Sequence, residues 1–414
     1  MQDNRFTWMH SGQTGAPQMD GVKLSEGQML NVLDAGLVNG FNPQNVSTVK
    51  VTASSVTLTY AADHGYELRQ LVLVTGATDT KLNGKHRIIA KTRDTITLDA
   101  KGVTTLTGTI ITKIAPLGFE SIFGNSTPLK RAYRSANLEG TRTVLYLDAS
   151  LPTGHGYNAT NPAKRLMVDL CEDMTVLGTQ INSYTSTINK RGTYKNGSLF
   201  WYQARPYTKT EPTVSVEFRP WVIVGNGDVF YIFNEWQDYN AMGNKLRDLY
   251  AFGDVDSLGG DTDQYNCMWM GAITENDIDG IYQASTGGQI GGDIDSAGVG
   301  FFIKDHTGVG TIQKFVLSTD GRAAVSYSGH STEVPLIPFP NPASQSMVCF
   351  PIHTLTKAGL RATMPRLMSI PQHLQSNIAT HDLTITGNIL TVAVFYTNRT
   401  SGLENGFYAI DLGD

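Results

Sequence analysis

The sequence predicts a mainly β protein: a β-sandwich- or barrel-like large domain, a small all-β module inserted ahead of it, and few short helices. Three observations carry this expectation. Apolar residues recur in short runs that alternate with polar ones, as in Val56-Thr-Leu58-Thr-Tyr60 and Thr95-Ile-Thr-Leu98, which is the period-2 signature of a half-buried strand. Glycine supplies 42 of 414 residues, above the usual ~7%, and it sits mostly between the apolar runs, where turns need it. One stretch alone keeps helical spacing.

That stretch lies in residues 1–44. Ser25 reads as an N-cap, and Met29, Leu30, Leu33 and Leu37 follow at 3.6-residue spacing until Gly36 and Gly40 interrupt it. Glu26, Gln28, Asn31 and Asp34 fall among the polar positions. The expectation is a short amphipathic helix docked on the large domain. Residues 45–114 change texture. Six short strands are expected there, at Val49–Val51, Val56–Tyr60, Leu71–Val74, Arg87–Ala90, Thr95–Leu98 and Gly108–Thr112. Asn83-Gly84 between apolar runs predicts a two-residue type I′ hairpin. This segment reads as a self-contained inserted module, whose removal should leave the remainder foldable. Residues 115–414 form the large domain, with a subdivision near 285–340. Its strands are expected at Thr143–Leu147, Leu199–Tyr202, Val214–Phe218, Trp221–Val224, Val229–Phe233, Cys267–Met270, Gly300–Ile303 and Ile389–Phe395. Gly225-Asn-Gly227-Asp228 joins two of them as a hairpin, and Arg165–Cys171 reads equally as helix or strand.

Composition excludes several function classes. Lys plus Arg is 32 and Asp plus Glu is 37, a formal net charge of -5, and no basic run exceeds the pairs Lys130-Arg131, Lys164-Arg165 and Lys190-Arg191. Nucleic-acid binding is therefore not expected. No apolar stretch approaches the ~18 residues a spanning helix needs, so no membrane insertion is expected, and the opening MQDNRFTWMHSGQTG does not read as a signal peptide. Cys171, Cys267 and Cys349 are too far apart for a zinc site or a disulfide framework and read as buried thiols.

Candidate chemistry is sparse. The nine histidines are scattered, without the H-E-x-x-H spacing of a zinc hydrolase. Gly329-His-Ser331-Thr-Glu333 has the first glycine of a nucleophile elbow but glutamate where the second belongs. Gly225-Asn-Gly227 lacks the third glycine of a dinucleotide loop. The aspartate-rich loops at 253–263 and 276–295 offer hard oxygen ligands without calcium-loop spacing; loop solvation is favoured there, with a calcium site left open. Glu211, Glu217, Glu235 and Asp238 lie near Trp201, Tyr202, Trp221, Tyr231 and Trp236, which in a glycosidase supply paired carboxylates and sugar-stacking rings. Core packing accounts for the same aromatics. No catalytic, cofactor-binding or metal-binding residue is assigned, no cofactor is expected, and the chain is not read as an enzyme.

Certain segments carry a resemblance. Gly15-Ala-Pro17, Leu30-Asn-Val-Leu33-Asp-Ala-Gly-Leu-Val-Asn39-Gly40, Ile114-Ala-Pro-Leu-Gly118-Phe-Glu, Arg131-Ala-Tyr-Arg134-Ser, Arg219-Pro-Trp-Val-Ile-Val-Gly225 with Val229-Phe-Tyr-Ile-Phe233, and Ala251-Phe-Gly-Asp254 resemble a widespread family of virion structural proteins of tailed bacteriophages. Phe119 stands where relatives have Trp, and the resemblance thins out after about residue 260. The segment around Asp63-His-Gly65-Tyr66 is similar to small β modules of phage tail and adhesion proteins. The resemblance implies a virion component of the tail, tail tip or neck, made in the bacterial cytoplasm. Its implied partners are copies of itself and other virion proteins. Receptor binding through host surface polysaccharide is the second reading and a tail-associated glycan hydrolase the third.

Overall fold

A computed structural model describes residues 5–19, 27–104, 108–124, 129–150, 165–184, 199–202, 220–239, 244–257, 267–273, 299–302, 313–318, 322–327, 330–335, 350–356, 359–370, 383–398 and 402–413. The chain is mainly β. After β1 (Thr7–His10) comes α1 (Gln28–Leu33), which widens into a π-helical turn over Asp34–Asn39. Met29, Leu30, Leu33 and Leu37 are fully buried, as the spacing predicts, and Val32 is buried with them. The cap position is Gly27, with φ 71 and no side-chain cap bond; Ser25 lies outside the described residues.

Seven strands follow: β2 (Phe41–Asn45), β3 (Thr48–Val51), β4 (Val56–Thr59), β5 (Leu71–Thr75), β6 (Gly84–Lys91), β7 (Thr95–Leu98) and β8 (Ile111–Ile114). They pair only with one another, in the order β2-β8-β5-β6-β7-β4-β3. Two expectations are corrected here. Asn83-Gly84 is not a two-residue turn: Gly76–Asn83 connects β5 to β6, and the Asn83 amide closes that loop by bonding the Ala77 N–H at 3.0 Å and the Ala77 carbonyl at 2.8 Å. The last strand lies at Ile111–Ile114 rather than Gly108–Thr112, because Gly76 and Gly108 (φ 82 and 106) turn the chain first.

The next strands are β9 (Phe119–Ser121), β10 (Lys130–Ser135), β11 (Val144–Asp148), β12 (Arg165–Val176), β13 (Thr179–Ser183), β14 (Leu199–Tyr202), β15 (Trp221–Gly225), β16 (Val229–Tyr239), β17 (Asn244–Asp254), β18 (Asp256–Ser257) and β19 (Cys267–Ile273). The segment Arg165–Cys171 is strand, and Val214–Phe218 lies outside the described residues. The hairpin at 225–228 is as expected: the Asn226 side-chain oxygen accepts the Asp228 and Val229 N–H groups at 3.0 and 3.1 Å. Beyond it lie β20 (Val299–Phe302), β21 (Gln313–Ser318), the separate hairpin β22 (Arg322–Tyr327) and β23 (His330–Pro335), then β24 (Phe350–Thr356), β25 (Gly359–Ile370), β26 (Leu383–Thr386), β27 (Ile389–Asn398) and β28 (Gly402–Asp411).

The central ladder β1-β15-β16-β17-β19 is antiparallel throughout. Among the described side chains it is buried on both faces, and strand alternation sorts them. Trp221, Ile223, Phe230, Ile232, Tyr250, Phe252 and Trp269 join a core that also holds α1 and the inner face of the seven-stranded sheet. Val222, Val224, Val229, Tyr231, Phe233, Leu249, Ala251 and Met268 join a second core with Ile352, Met364, Leu367, Val392, Tyr408 and Ile410 from the C-terminal strands. Double burial explains why this stretch reads as a near-continuous apolar run. Cys171 and Cys267 are buried; Cys349 lies outside the described residues.

The seven-stranded sheet is tied to its surroundings by buried hydrogen bonds. The Arg87 guanidinium donates to the carbonyls of Phe6 (2.9 Å), Arg69 (2.7 Å) and Leu412 (2.7 Å). Gln70 donates to the Trp8 carbonyl at 2.9 Å, and Leu71 N–H donates to the Thr7 hydroxyl at 2.8 Å. Lys85 reaches the Leu117 carbonyl at 2.9 Å. The segment is thus interdependent with β1 and with the last strand.

Candidate functional site

Three of the segments that carry the resemblance, those ending near Glu120, Ser135 and Asp254, are far apart in the chain and meet at one loop, residues 136–143, between β10 and β11. Side chains from other segments and from the loop itself hold it. The Asn137 amide donates to Asp228 Oδ1 at 2.9 Å, and the Asn137 N–H donates to the Ser135 hydroxyl at 2.9 Å. Asn137 Oδ1 accepts the Glu139 N–H at 3.1 Å. Thr141 donates its N–H and hydroxyl to the two oxygens of Asp254, at 3.0 and 2.5 Å. Asp254 can reach the loop because Gly253, at φ 134, lets β17 pass against the Asp228 carbonyl, where a Cβ would collide. At the loop's end Arg142 adopts φ 52, a costly conformation for a non-glycine residue. Its guanidinium holds it there, donating to the Ser135 carbonyl at 2.9 Å and to Glu120 at 2.6 Å.

Glu120 also accepts Arg134 at 2.5 Å, and Arg134 reaches Asp173 at 3.4 Å. Partial burial opposes ionisation of Glu120, but the two guanidiniums overcome it and hold the carboxyl below its usual range. A second cluster joins the helical segment to β10 and is almost fully enclosed. Asp34 accepts Arg131 Nε at 2.8 Å and the Tyr133 hydroxyl at 2.7 Å, with the ion pair only 4% and 7% exposed. Burial and the Asp34 charge push the Tyr133 phenol far above its ordinary value. Sequence reading placed Asp34 on the polar side; the structure corrects this. It sits four residues after Leu30 and three before Leu37, on the stripe that faces inward, and that spacing was the available signal.

This bracing presents Leu138 to solvent at 82% exposure, the most exposed large apolar residue described. Chemically, the arrangement offers a fixed apolar projection rimmed by carboxylate–guanidinium pairs whose members already engage each other. Such a loop is suited to contact.

The residues named for chemistry fall elsewhere. Trp201, Trp221 and Tyr231 are buried core residues. Their polar atoms donate to the carbonyls of Met270 (2.7 Å), Pro17 (2.9 Å) and Pro365 (2.9 Å). They are therefore unable to stack on a sugar. Glu235 and Asp238 occupy β16 opposite Arg247 and Lys245, across a bulge between Glu235 and Gln237. Glu211 and Glu217 lie outside the described residues. Ser331 is in a strand of the β22–β23 hairpin, not at a strand-to-helix elbow. Of the aspartate-rich loops, Asp254 is committed to Thr141, and residues 258–263 and 276–295 lie outside the described residues. Among the described residues no group of three His, Cys, Asp or Glu side chains converges as a metal site.

No family model matches the chain, and no curated protein matches it. Among solved structures the chain is similar to a phage phi92 endosialidase at 8% identity and a TM-score of 0.14, covering 90% of this chain and 52% of that one. The chain therefore spans about half the length of that protein. A likeness of that depth bears on neither fold nor activity.

Proposed function

We propose that the chain is a non-enzymatic structural component of a tailed bacteriophage particle, in the tail, tail tip or neck, assembling as a ring or symmetric oligomer with copies of itself and other virion proteins. The observation that carries this reading is the braced loop. Residues of the resembling segments (Glu120, Arg134, Ser135, Asp254) are used to fix residues 136–143 and so to hold Leu138 outward. A rigid, exposed apolar side chain loses little entropy on binding, which is what an interface anchor needs. Copies in a ring would meet through a heterologous contact closed by rotation.

The test is a reconstruction of intact particles with antibody labelling of this chain, alongside particles carrying Leu138→Asp. Label at the neck or tail end, together with loss of the variant from particles, is the expected result. The variant protein itself should keep its thermal stability to within ~0.5 kcal/mol, as surface substitutions do. Unlabelled particles overturn the virion assignment. Label confined to fibre tips transfers the reading to host-polysaccharide binding, and normal incorporation of Leu138→Asp removes the loop as the contact.

A further inference from the structure

The turn between β4 and β5 holds a histidine whose protonation state is dictated by its neighbours. His64 is buried, at 1% exposure. Its Nδ1 accepts the Tyr66 N–H at 2.9 Å. Its Nε2 faces two carbonyls, Thr92 at 3.0 Å and Thr95 at 3.2 Å, and carbonyls only accept. Nε2 therefore carries the hydrogen and Nδ1 the lone pair, so the ring is the neutral Nε2–H tautomer. The ring packs between Tyr60 (5.2 Å between centroids) and Tyr66 (5.3 Å, nearly parallel). The Tyr66 hydroxyl donates to the Asn42 carbonyl at 3.0 Å, so it must accept from Thr112 (2.9 Å), which in turn accepts from Tyr60 (3.0 Å). The Thr112 hydroxyl also lies 3.5 Å from the Gln44 carbonyl, a second and longer acceptor for its hydrogen.

The charged groups around the ring do not invite a proton. On its own turn are Asp63, which favours the charged ring, and Glu67, which is taken by Lys91 at 2.5 Å. From β6 Lys91 opposes the charged ring, and its ammonium also lies 3.1 Å from the Tyr66 carbonyl. In the β6–β7 turn Arg93 is 84% exposed and 4.0 Å from Asp63, and Asp94 is bonded to the Thr92 hydroxyl. From β2 and β8 come only the neutral Asn42 and Thr112. Burial, the largest influence, holds the ring's pKa below the ordinary value.

We propose that His64 is an acid-sensitive latch joining the seven-stranded sheet to the N-terminal segment. Protonation puts an N–H on Nδ1 facing the Tyr66 N–H, which breaks that bond and leaves a charge between two aromatic rings. The turn it holds is the one that touches residues 8–14. Gly65, at φ 69, packs so closely on Thr14 that a Cβ would overlap it. Asn42 donates to the His64 carbonyl at 2.8 Å, and Gln70 bonds both Gln13 (3.0 Å) and the Trp8 carbonyl (2.9 Å). Loosening residues 61–70 therefore loosens the hold on β1. The sign follows from linkage: a histidine held neutral by the fold contributes its full stability above the unfolded value of about 6.5. It loses that stability as the pH falls from there to the folded-state value. This inference is independent of the virion reading.

The experiment is hydrogen exchange of the full chain, followed by peptide mass spectrometry between pH 7 and 5 with intrinsic rates corrected. Peptides covering residues 61–70 should lose protection by up to about 10-fold per pH unit below 6.5, while peptides from β15–β16 stay constant. In His64→Asn, which keeps an acceptor for Tyr66, and in His64→Gln, which keeps a donor for the carbonyls, the pH response should vanish. A flat wild-type profile, or the same response in either variant, overturns the proposal. Should both variants fail to fold, the wild-type chain labelled with nitrogen-15 histidine decides. A His64 that is the Nε2–H tautomer and titrates below 6.5 sustains the latch, and one that titrates at or above 6.5 removes it.

Discussion

The seven-stranded sheet and the central ladder are both antiparallel, yet they bury their residues in opposite ways. In β3, β4 and β7 every second side chain faces out, with patterns such as Thr-Val-Lys-Val and Thr-Ile-Thr-Leu. In β15 every residue of Trp-Val-Ile-Val-Gly is buried. One sheet has a solvent face and the other has a core on each side. In the seven-stranded sheet, tolerance to substitution should alternate along a strand; in the central ladder no position should be tolerant.

The harshest way to break this contrast is to replace residues 45–114 by a short Gly/Ser linker. The carbonyls of Phe6, Trp8 and Leu412 then lose these donors, each at about 1–3 kcal/mol, and the core shared with the seven-stranded sheet loses its apolar side chains from that sheet. Loss of cooperative unfolding by circular dichroism is expected. A soluble product melting within a few degrees of the parent would show the segment to be self-contained, as its sequence suggests. Next come single core deletions. Trp221→Ala should cost ~3–5 kcal/mol in chemical denaturation. Its neighbour Val222→Ala should also be measurably destabilising, because it faces the second core. In β3, by contrast, Lys50→Ala should lie within ~0.5 kcal/mol of wild type. A neutral Val222→Ala would deny the second buried face.

Asp34→Ala should cost ~3–5 kcal/mol, since it strands the buried Arg131 charge. The pair Asp34→Leu with Arg131→Met should recover much of that loss, and absence of recovery would mean the ion pair does more than neutralise itself. A small effect is expected at Glu120→Gln, below ~1 kcal/mol and fading with salt. Because the Glu120 carboxyl is held below its usual range, its contribution is present above the unfolded value near 4.3. It should disappear as the pH falls through the lower folded value. A thermal melt series in pH and salt checks both.

The same contrast explains what could be read from the sequence. Strands with one wet face advertise themselves by alternation, so five of the seven module strands were located directly and β8 was displaced by three residues. β2 was missed because Phe41-Asn-Pro-Gln-Asn is polar and contains a proline, which normally argues against a strand. β17 was missed altogether: its start, Asn244-Lys-Leu-Arg-Asp, is polar, and its pairing is made with β16 and β19 rather than announced by a local alternation. The buried aromatics of β15 and β16 were read as core from pattern. The braced loop was illegible for a different reason. Asp228, Asp254 and Arg142 acquire their roles by converging from three separate segments, and nothing in the local texture of any one of them records the other two.

One hydrogen bond has a consequence in time. Arg87 donates to the carbonyl of Leu412, 325 residues further along the chain. A ribosome adding about 5–20 residues per second needs some tens of seconds to supply that acceptor after Arg87 has emerged. Until then the guanidinium lacks the Leu412 carbonyl. The seven-stranded sheet therefore emerges early and is completed late. A truncated product would carry an unfinished seam there, which gives quality control a place to distinguish finished chains from abandoned ones.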